Sequence, residues 1–427
     1  MRANFPARRR PAADQAPIQR DDGEARLWHL GTALAVSFTV AVVGLAGLAW
    51  LAWVLLGLAG YRHHGAPALH DTVAVLQLVF ATVAGAGALV ALIVAYRRQK
   101  IAEADSVHDR TRVFNERFTA IAAQLGDAQP AVRLAGVHAM AGLADDWKQN
   151  RQTCVDVLCA YLRLPYDPDP GDDAEPAERA AYSANRVVRH TIIRLIGAHL
   201  RPGSTISWQG LNFDFTGVVF DGGDFTAARF SSGIVLFDDA EFSGGKVSFA
   251  DAEFSGGKVS FFGAVFSGSH ASFDETKFSS GQVSFLTAKV SGGHVSFDKG
   301  VFSGGEVDFS TAEFSGGEVD FADAEFSGGK VSFFGAVFSG GKVNFVYAEF
   351  SGSQVSFVYA EFSGGQVSFA GAKFSGGRVS FAGAVFSGGQ VSFADAELWS
   401  HPPVFGWPGE PPAGVVLPDR RGVLALR

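Results

Sequence analysis
From residue 231 to residue 398, large apolar residues recur at alternating intervals of five and seven positions. They fall at 237, 242, 249, 254, 261, 266, 273 and 278 and continue in this way to 393 and 398, a strict period of 12. Every such position is Phe except Val290 and Leu398. A period held over so many copies marks a repeat array, not a single globular core. Residues 252–263 show one unit: Ala252-Glu253-Phe254-Ser255-Gly256, then Gly257-Lys258, then Val259-Ser260-Phe261-Phe262-Gly263. Two pentads flank a two-residue insert. Each sets a small or branched residue two positions before its Phe. Ala252 with Phe254, and Val259 with Phe261, then share one face of a short strand while the residue between them points out. The Gly-Gly pair supplies a corner, because glycine enters positive φ at no steric cost. A single unit cannot bury enough to order itself, so neighbouring coils must complete it. The pattern places Phe249, Phe254, Phe261, Phe266, Phe309, Phe314, Phe321 and Phe326 inside.

Pentads with a small first residue and an apolar third, as in Ala252/Phe254, Ala312/Phe314, Ala324/Phe326 and Ala348/Phe350, resemble those of pentapeptide-repeat proteins. The resemblance covers about residues 204–398 and implies a right-handed quadrilateral β-helix, a solenoid with the third-position residue stacked inside. The Gly-x insert departs from the family and makes every second pentad seven residues long. Four sides would then use two units per coil. A flat coil of one unit competes, but it leaves no room for two Phe rings per turn. Fourteen uninterrupted units predict seven regular coils, about 34 Å of rod at ~4.8 Å per strand spacing.

Upstream the pattern changes. Residues 1–26 hold Arg8, Arg9 and Arg10, three prolines and no apolar period, which reads as a disordered tail. Leu27 to Gly60 is apolar almost throughout, and Thr72 to Tyr96 is a second such run; both exceed the ~20 residues of a spanning helix. The first is too long for a cleaved signal peptide and lacks its cleavage site. Arg2, Arg8, Arg9, Arg10, Arg20 and Arg26 precede the first run, and Arg97, Arg98 and Lys100 follow the second. This bias predicts a two-helix transmembrane hairpin over 27–97, multi-pass in a bacterial plasma membrane with both termini cytoplasmic and the lipid bilayer as a partner. Gly85 and Gly87 would allow close packing within the hairpin or a homo-oligomer with a second copy. His63, His64 and His70 in the connector read as polar loop residues rather than a metal or pH-sensing set.

Residues 98–203 read as a small all-α adaptor. Val113, Phe114, Phe118, Ile121 and Leu125 form one apolar stripe, Pro130 suits a first helical position, and further helices fit 130–145, 151–163 and about 177–200. Residues 165–178, with four prolines and several acids, read as a loop. Asp109-Arg110, Phe114-Asn115-Glu116-Arg117-Phe118, Val132-Arg133-Leu134-Ala135-Gly136 and Val157-Leu158-Cys159-Ala160-Tyr161-Leu162-Arg163 resemble the juxtamembrane region of membrane-anchored pentapeptide-repeat proteins of actinobacteria. That resemblance brings no activity with it. Beyond 398 the repeat breaks. Trp399, Phe405 and Trp407 read as a cap over the open end of the solenoid, with a C-terminal tail reaching 427.

Charge divides along the same line. Residues 206–398 hold 22 Asp and Glu against 10 Lys and Arg, whereas the remainder holds 21 against 25. Two cysteines, Cys154 and Cys159, exclude a disulfide-stapled scaffold and read as buried reduced thiols. No phosphate loop, paired metal-ligand motif or nucleophile elbow is present, so no enzyme, metal or cofactor is expected. Inward positions are fixed while outward ones vary, which points to a membrane-tethered scaffold presenting a rigid rod to a protein partner. The candidate interaction surface is Lys246, Lys258, Glu306, Glu318, Lys330, Lys342 and Arg378. The alternative is an acidic rod that mimics DNA and binds a type II topoisomerase or another nucleic-acid-binding protein. Nucleic acid itself is not expected as a partner.

Overall fold
The computed structural model describes isolated helical positions between Thr39 and Val54, then residues 69–418 apart from 167–168, 172 and 408. The chain divides into two units, Met1–Thr111 and Arg112–Arg427. In the first, helix α1 (Leu69–Leu125) begins a run of 57 residues whose last turns, from Arg112, belong to the second unit.

Here the sequence reading needs correction. Among the described residues no helix is long and apolar enough to cross a membrane. The transmembrane hairpin and the plasma-membrane location therefore do not stand. The expected second span is only the start of α1, which runs on through Arg97, Arg98, Lys100 and Glu103. Its middle, Ala84-Gly85-Ala86-Gly87-Ala88, is built of residues with little apolar area to remove from water, so counting apolar letters overstated the gain. The 1–26 tail and most of the first expected span lie outside the described residues. So do His63 and His64 of the connector, whereas His70 falls within α1.

The second unit opens with three helices that pack with the end of α1: α2 (Pro130–Asp146), α3 (Arg151–Leu162) and α4 (Pro176–Leu200). Proline stands in the first turn of α2 and α4, where the missing N–H costs nothing. Phe114, Leu125, Val137, Met140, Leu158, Ile192 and Ile196 form their buried core.

A right-handed, four-sided parallel β-solenoid of about eight turns follows. Pairing joins residues 24 apart, Val265 with Lys289 and Phe266 with Val290, so one coil takes two repeat units. In chain order, the first face holds strands such as Ile234–Leu236 and Lys258–Ser260 and the second Glu241–Phe242 and Val265–Phe266. The third holds Lys246–Ser248 and His270–Ser272, and the fourth Glu253–Phe254 and Lys277–Phe278. The first and third faces have nine strands, the second and fourth eight. Nine strands stack to about 38 Å at ~4.8 Å spacing. Strands Val404–Phe405 and Val415–Val416 carry the first and third faces past residue 398.

The square section exists because each coil must house four rings. Phe237, Phe261, Phe285 and Phe309 stack in one column at 4.6–4.7 Å; Phe249, Phe273, Phe297 and Phe321 stack in another at 4.7–4.8 Å. Rings of the two columns meet edge to face, as Phe309 and Phe321 do at 5.9 Å and 86°. Both geometries suit the aromatic quadrupole. Phe254, Phe266, Phe314 and Phe326 line the remaining two columns and are buried like the others.

The two corner glycines serve different needs. Gly257 has φ +72°, whereas Gly256 answers to proximity: a Cβ there would lie 2.2 Å from the Ser231 carbonyl oxygen of the preceding coil, so the backbone would have to shift to admit one. The alternate corners need positive φ as well; Gly263, Gly335, Gly371 and Gly383 supply some of them, but others use residues such as Asp239, Asp251, Thr287, Lys299, Tyr347 and Tyr359.

Candidate functional site
The outward surface of the rod and its junction with the helices hold the polar chemistry. The candidate surface residues separate onto opposite faces. Lys258, Glu306, Lys330 and Arg378 open successive or nearby strands of the first face; Lys246, Glu318 and Lys342 do so on the third. Because coils are two repeat units long, consecutive units alternate sides. The seven residues therefore form two ladders and not one patch.

Along the faces, side chains of neighbouring coils pair. Lys330 Nζ lies 2.7 Å from Glu306 Oε1, His294 Nδ1 3.6 Å from Glu318 Oε2, and on the other faces Arg229 Nε 3.0 Å from Glu253 and Lys289 Nζ 3.7 Å from Glu313. His270 and His294 stack at 4.8 Å. Burial, then the neighbouring His294 and Lys246, lowers the pKa of His270. A shallow groove of about 750 Å³ follows the third face, floored by glycines and lined by His294, Glu318, Lys342, Gln366 and Gln390. An acidic run follows the third-to-fourth corner through Asp251, Asp274, Glu275, Asp298 and Asp323. Lys299 breaks it by pairing with Asp298 at 3.1 Å.

The junction was not visible in the sequence. The helices cover the first coil, and their side chains satisfy its open strand edge. Arg189 donates to the Leu162 carbonyl at 2.6 Å and the Val219 carbonyl at 2.8 Å. Gln152 both donates to the Asn212 carbonyl (2.8 Å) and accepts from its N–H (2.9 Å). Asp221, on the first coil, gathers four partners: Tyr166 and Tyr182 donate hydroxyls at 2.7 and 2.8 Å, Arg186 donates Nε at 3.0 Å, and His190 Nε2 stands 2.8 Å away. Burial alone would raise this carboxyl, but the bonds from His190, Tyr166 and Tyr182 outweigh it and hold it well below the usual carboxylate range. A second clamp has Trp208 Nε1 donating to Asp145 at 2.8 Å, with the His199 ring stacked on Trp208 at 4.0 Å. The spacing of Tyr182, Arg186, Arg189 and His190 on α4 was the available signal, interleaved with the apolar residues of the same helix.

At the other end, Trp399 meets Phe374 and Phe393 edge-on at 5.1 and 5.8 Å, and Phe405 and Trp407 stack at 4.3 Å beyond Phe381 and Phe386. Cys154 and Cys159 are buried and unpaired; burial pushes the first thiol up to about 11 and the second to about 12. No group of three or more metal-ligating side chains occurs among the described residues. Comparison with protein-family models, with curated proteins and with solved structures finds no match. The four-sheet solenoid with regular repeats is consistent with a pentapeptide-repeat protein on geometry alone.

Proposed function
We propose that the chain is a non-catalytic scaffold of the pentapeptide-repeat kind, whose rigid rod binds another protein through its outward ladders. One observation carries this reading: the interior is nearly invariant from coil to coil while the third-face ladder runs Lys246, His270, His294, Glu318, Lys342, Gln366, Gln390 beside a groove. Coil geometry alone would accept any soluble residue there. Ordered variation on a rigid frame supplies a specific pattern of charge at low conformational cost. The same ladders interleave Lys with Glu, which counts against an acidic duplex mimic, where ordered negative charge would be needed.

The test is proximity labelling in the cell of origin with three forms of the full chain: wild type, a third-face reversal (Glu318→Lys with Lys342→Glu), and a first-face reversal (Glu306→Lys with Lys330→Glu). A partner lost in one reversal and kept in the other supports the scaffold and assigns its face. Enrichment of topoisomerase subunits, insensitive to either reversal, would favour the mimic instead.

A further inference from the structure
A cavity of about 710 Å³ lies where α4 meets the first two coils. One side of α4 supplies Ser183, Arg186, Val187, His190 and Arg194. The solenoid supplies Gly222, Gly223, Asp224, Thr226, Lys246 and Ser248. This volume is that of a small-molecule site. Gly222 and Gly223 let α4 pack close to the coil beside it: a Cβ at Gly222 would lie 2.9 Å from His190 Cε1, and one at Gly223 would lie 3.1 Å from Ile193.

Charge within the cavity is unevenly satisfied. The nearby carboxylates are already engaged. Asp221 holds Arg186 and His190, and Asp224 binds Arg201 at 2.6 Å and the Thr226 N–H at 3.0 Å. Arg194 and Lys246, approaching from opposite walls, have no ion pair among the described residues. The Thr226 and Ser248 hydroxyls bond each other at 2.8 Å and offer neutral donors between those cations. A guanidinium, an ammonium and hydroxyls lining one cavity are the groups that recognise a phosphate, and Val187 adds an apolar wall beside them.

We propose that this cavity binds a small molecule bearing a phosphate or diphosphate group, held by Arg194 and Lys246. The inference does not depend on the scaffold reading, although Lys246 also begins the third-face ladder. Because one cation belongs to the helices and the other to the solenoid, bound ligand would bridge the two and stabilise their junction by mass action.

The experiment titrates the full chain with inorganic phosphate, pyrophosphate and a nucleoside diphosphate, reading heat and melting temperature. The same titrations use Arg194→Ala with Lys246→Ala. Both residues lie outside the Asp221 clamp, so the ligand-free melting temperature of the variant should match wild type. Binding of any probe to wild type, weakened at least tenfold in the variant, supports the site. Pyrophosphate and nucleotide binding equally would identify an inorganic anion as ligand; tighter nucleotide binding would identify an organic phosphate whose remainder contacts Val187. No binding of any probe at millimolar concentration, or binding unchanged in the variant, overturns the proposal.

Discussion

Replacing Phe321 by Ala is the sharpest test of the four-column interior. The ring is fully buried. It stacks on Phe297 at 4.7 Å and Phe345 at 4.8 Å and meets Phe309 and Phe333 edge-on at 5.9 Å each. Removing it forfeits about 2–3 kcal/mol of transfer free energy and aromatic pairs worth ~0.5–1.5 kcal/mol each. Because the coils above and below are held by their own strand pairing, the void cannot collapse. The expected loss therefore lies at the upper end of the ~3–5 kcal/mol typical of a buried Phe→Ala change. Glu318, three residues away on the third face, is the control. Its side chain is 45% exposed and its partner His294 is 3.6 Å distant, so Glu318→Ala should cost under ~1 kcal/mol. Hydrogen exchange on the full chain separates the two by location as well as size. In a solenoid, stability is a sum of coil and nearest-neighbour terms, so Phe321→Ala should accelerate exchange between about residues 297 and 345 and leave the coil around Phe237 unchanged. Equal sensitivity at 318 and 321, or acceleration spread evenly along the rod, would refute the inward assignment or the one-dimensional coupling.

Three further perturbations probe other parts of the design. Val290 interrupts the column between Phe266 and Phe314, so Val290→Phe should restore the stack and raise thermal stability by about 1–2 kcal/mol through two new ring pairs; a loss would mean the neighbours have already closed over the gap. Gly256→Ala should destabilise by more than ~1 kcal/mol, because its Cβ meets the Ser231 carbonyl at 2.2 Å, whereas Gly244→Ala, with nothing within 4 Å, should be tolerated; equal melting temperatures would contradict the corner geometry. Asp221→Asn should loosen the junction, read as lost protection in α4.

How far the sequence alone could go follows from what each element depends on. The inward Phe positions were legible because every coil poses the same packing problem, and the answer is written many times over; the choice between a 24- and a 12-residue coil stayed open until the strand pairing settled it. Gly256 and Gly257 were also readable, though proximity, not φ alone, explains the first. The corners occupied by Asp251, Tyr347 and Tyr359 were missed because positive φ there is imposed by coil closure on residues that do not favour it. The division of the candidate surface between opposite faces was not readable, since a 12-residue period conceals which side each unit faces. The junction was invisible for a different reason: Asp221 has no repeated counterpart, and its partners come from α4 and the loop before it, 31 to 55 residues away. The apolar run from Thr72 misled because composition was counted without weighing side-chain area.

Acid dependence gives the junction a signature of its own. Asp221 has a folded-state pKa depressed below its ordinary value of 3.8. A carboxylate of this kind contributes stability that is fully present above the unfolded pKa and is lost as pH falls through the folded one. The clamp should therefore hold unchanged from neutrality down to about pH 4 and weaken only below it, as the unfolded chain begins to take up the proton that the folded carboxylate refuses. In Asp221→Asn this contribution is absent. The difference in stability between wild type and variant should shrink as the pH drops under ~4. Chemical denaturation of both forms at a series of pH values measures it. A difference that instead grew as the pH fell below ~4 would mean that the carboxyl is protonated more readily in the fold than out of it, and that the four donors around it do not act together as the structure places them.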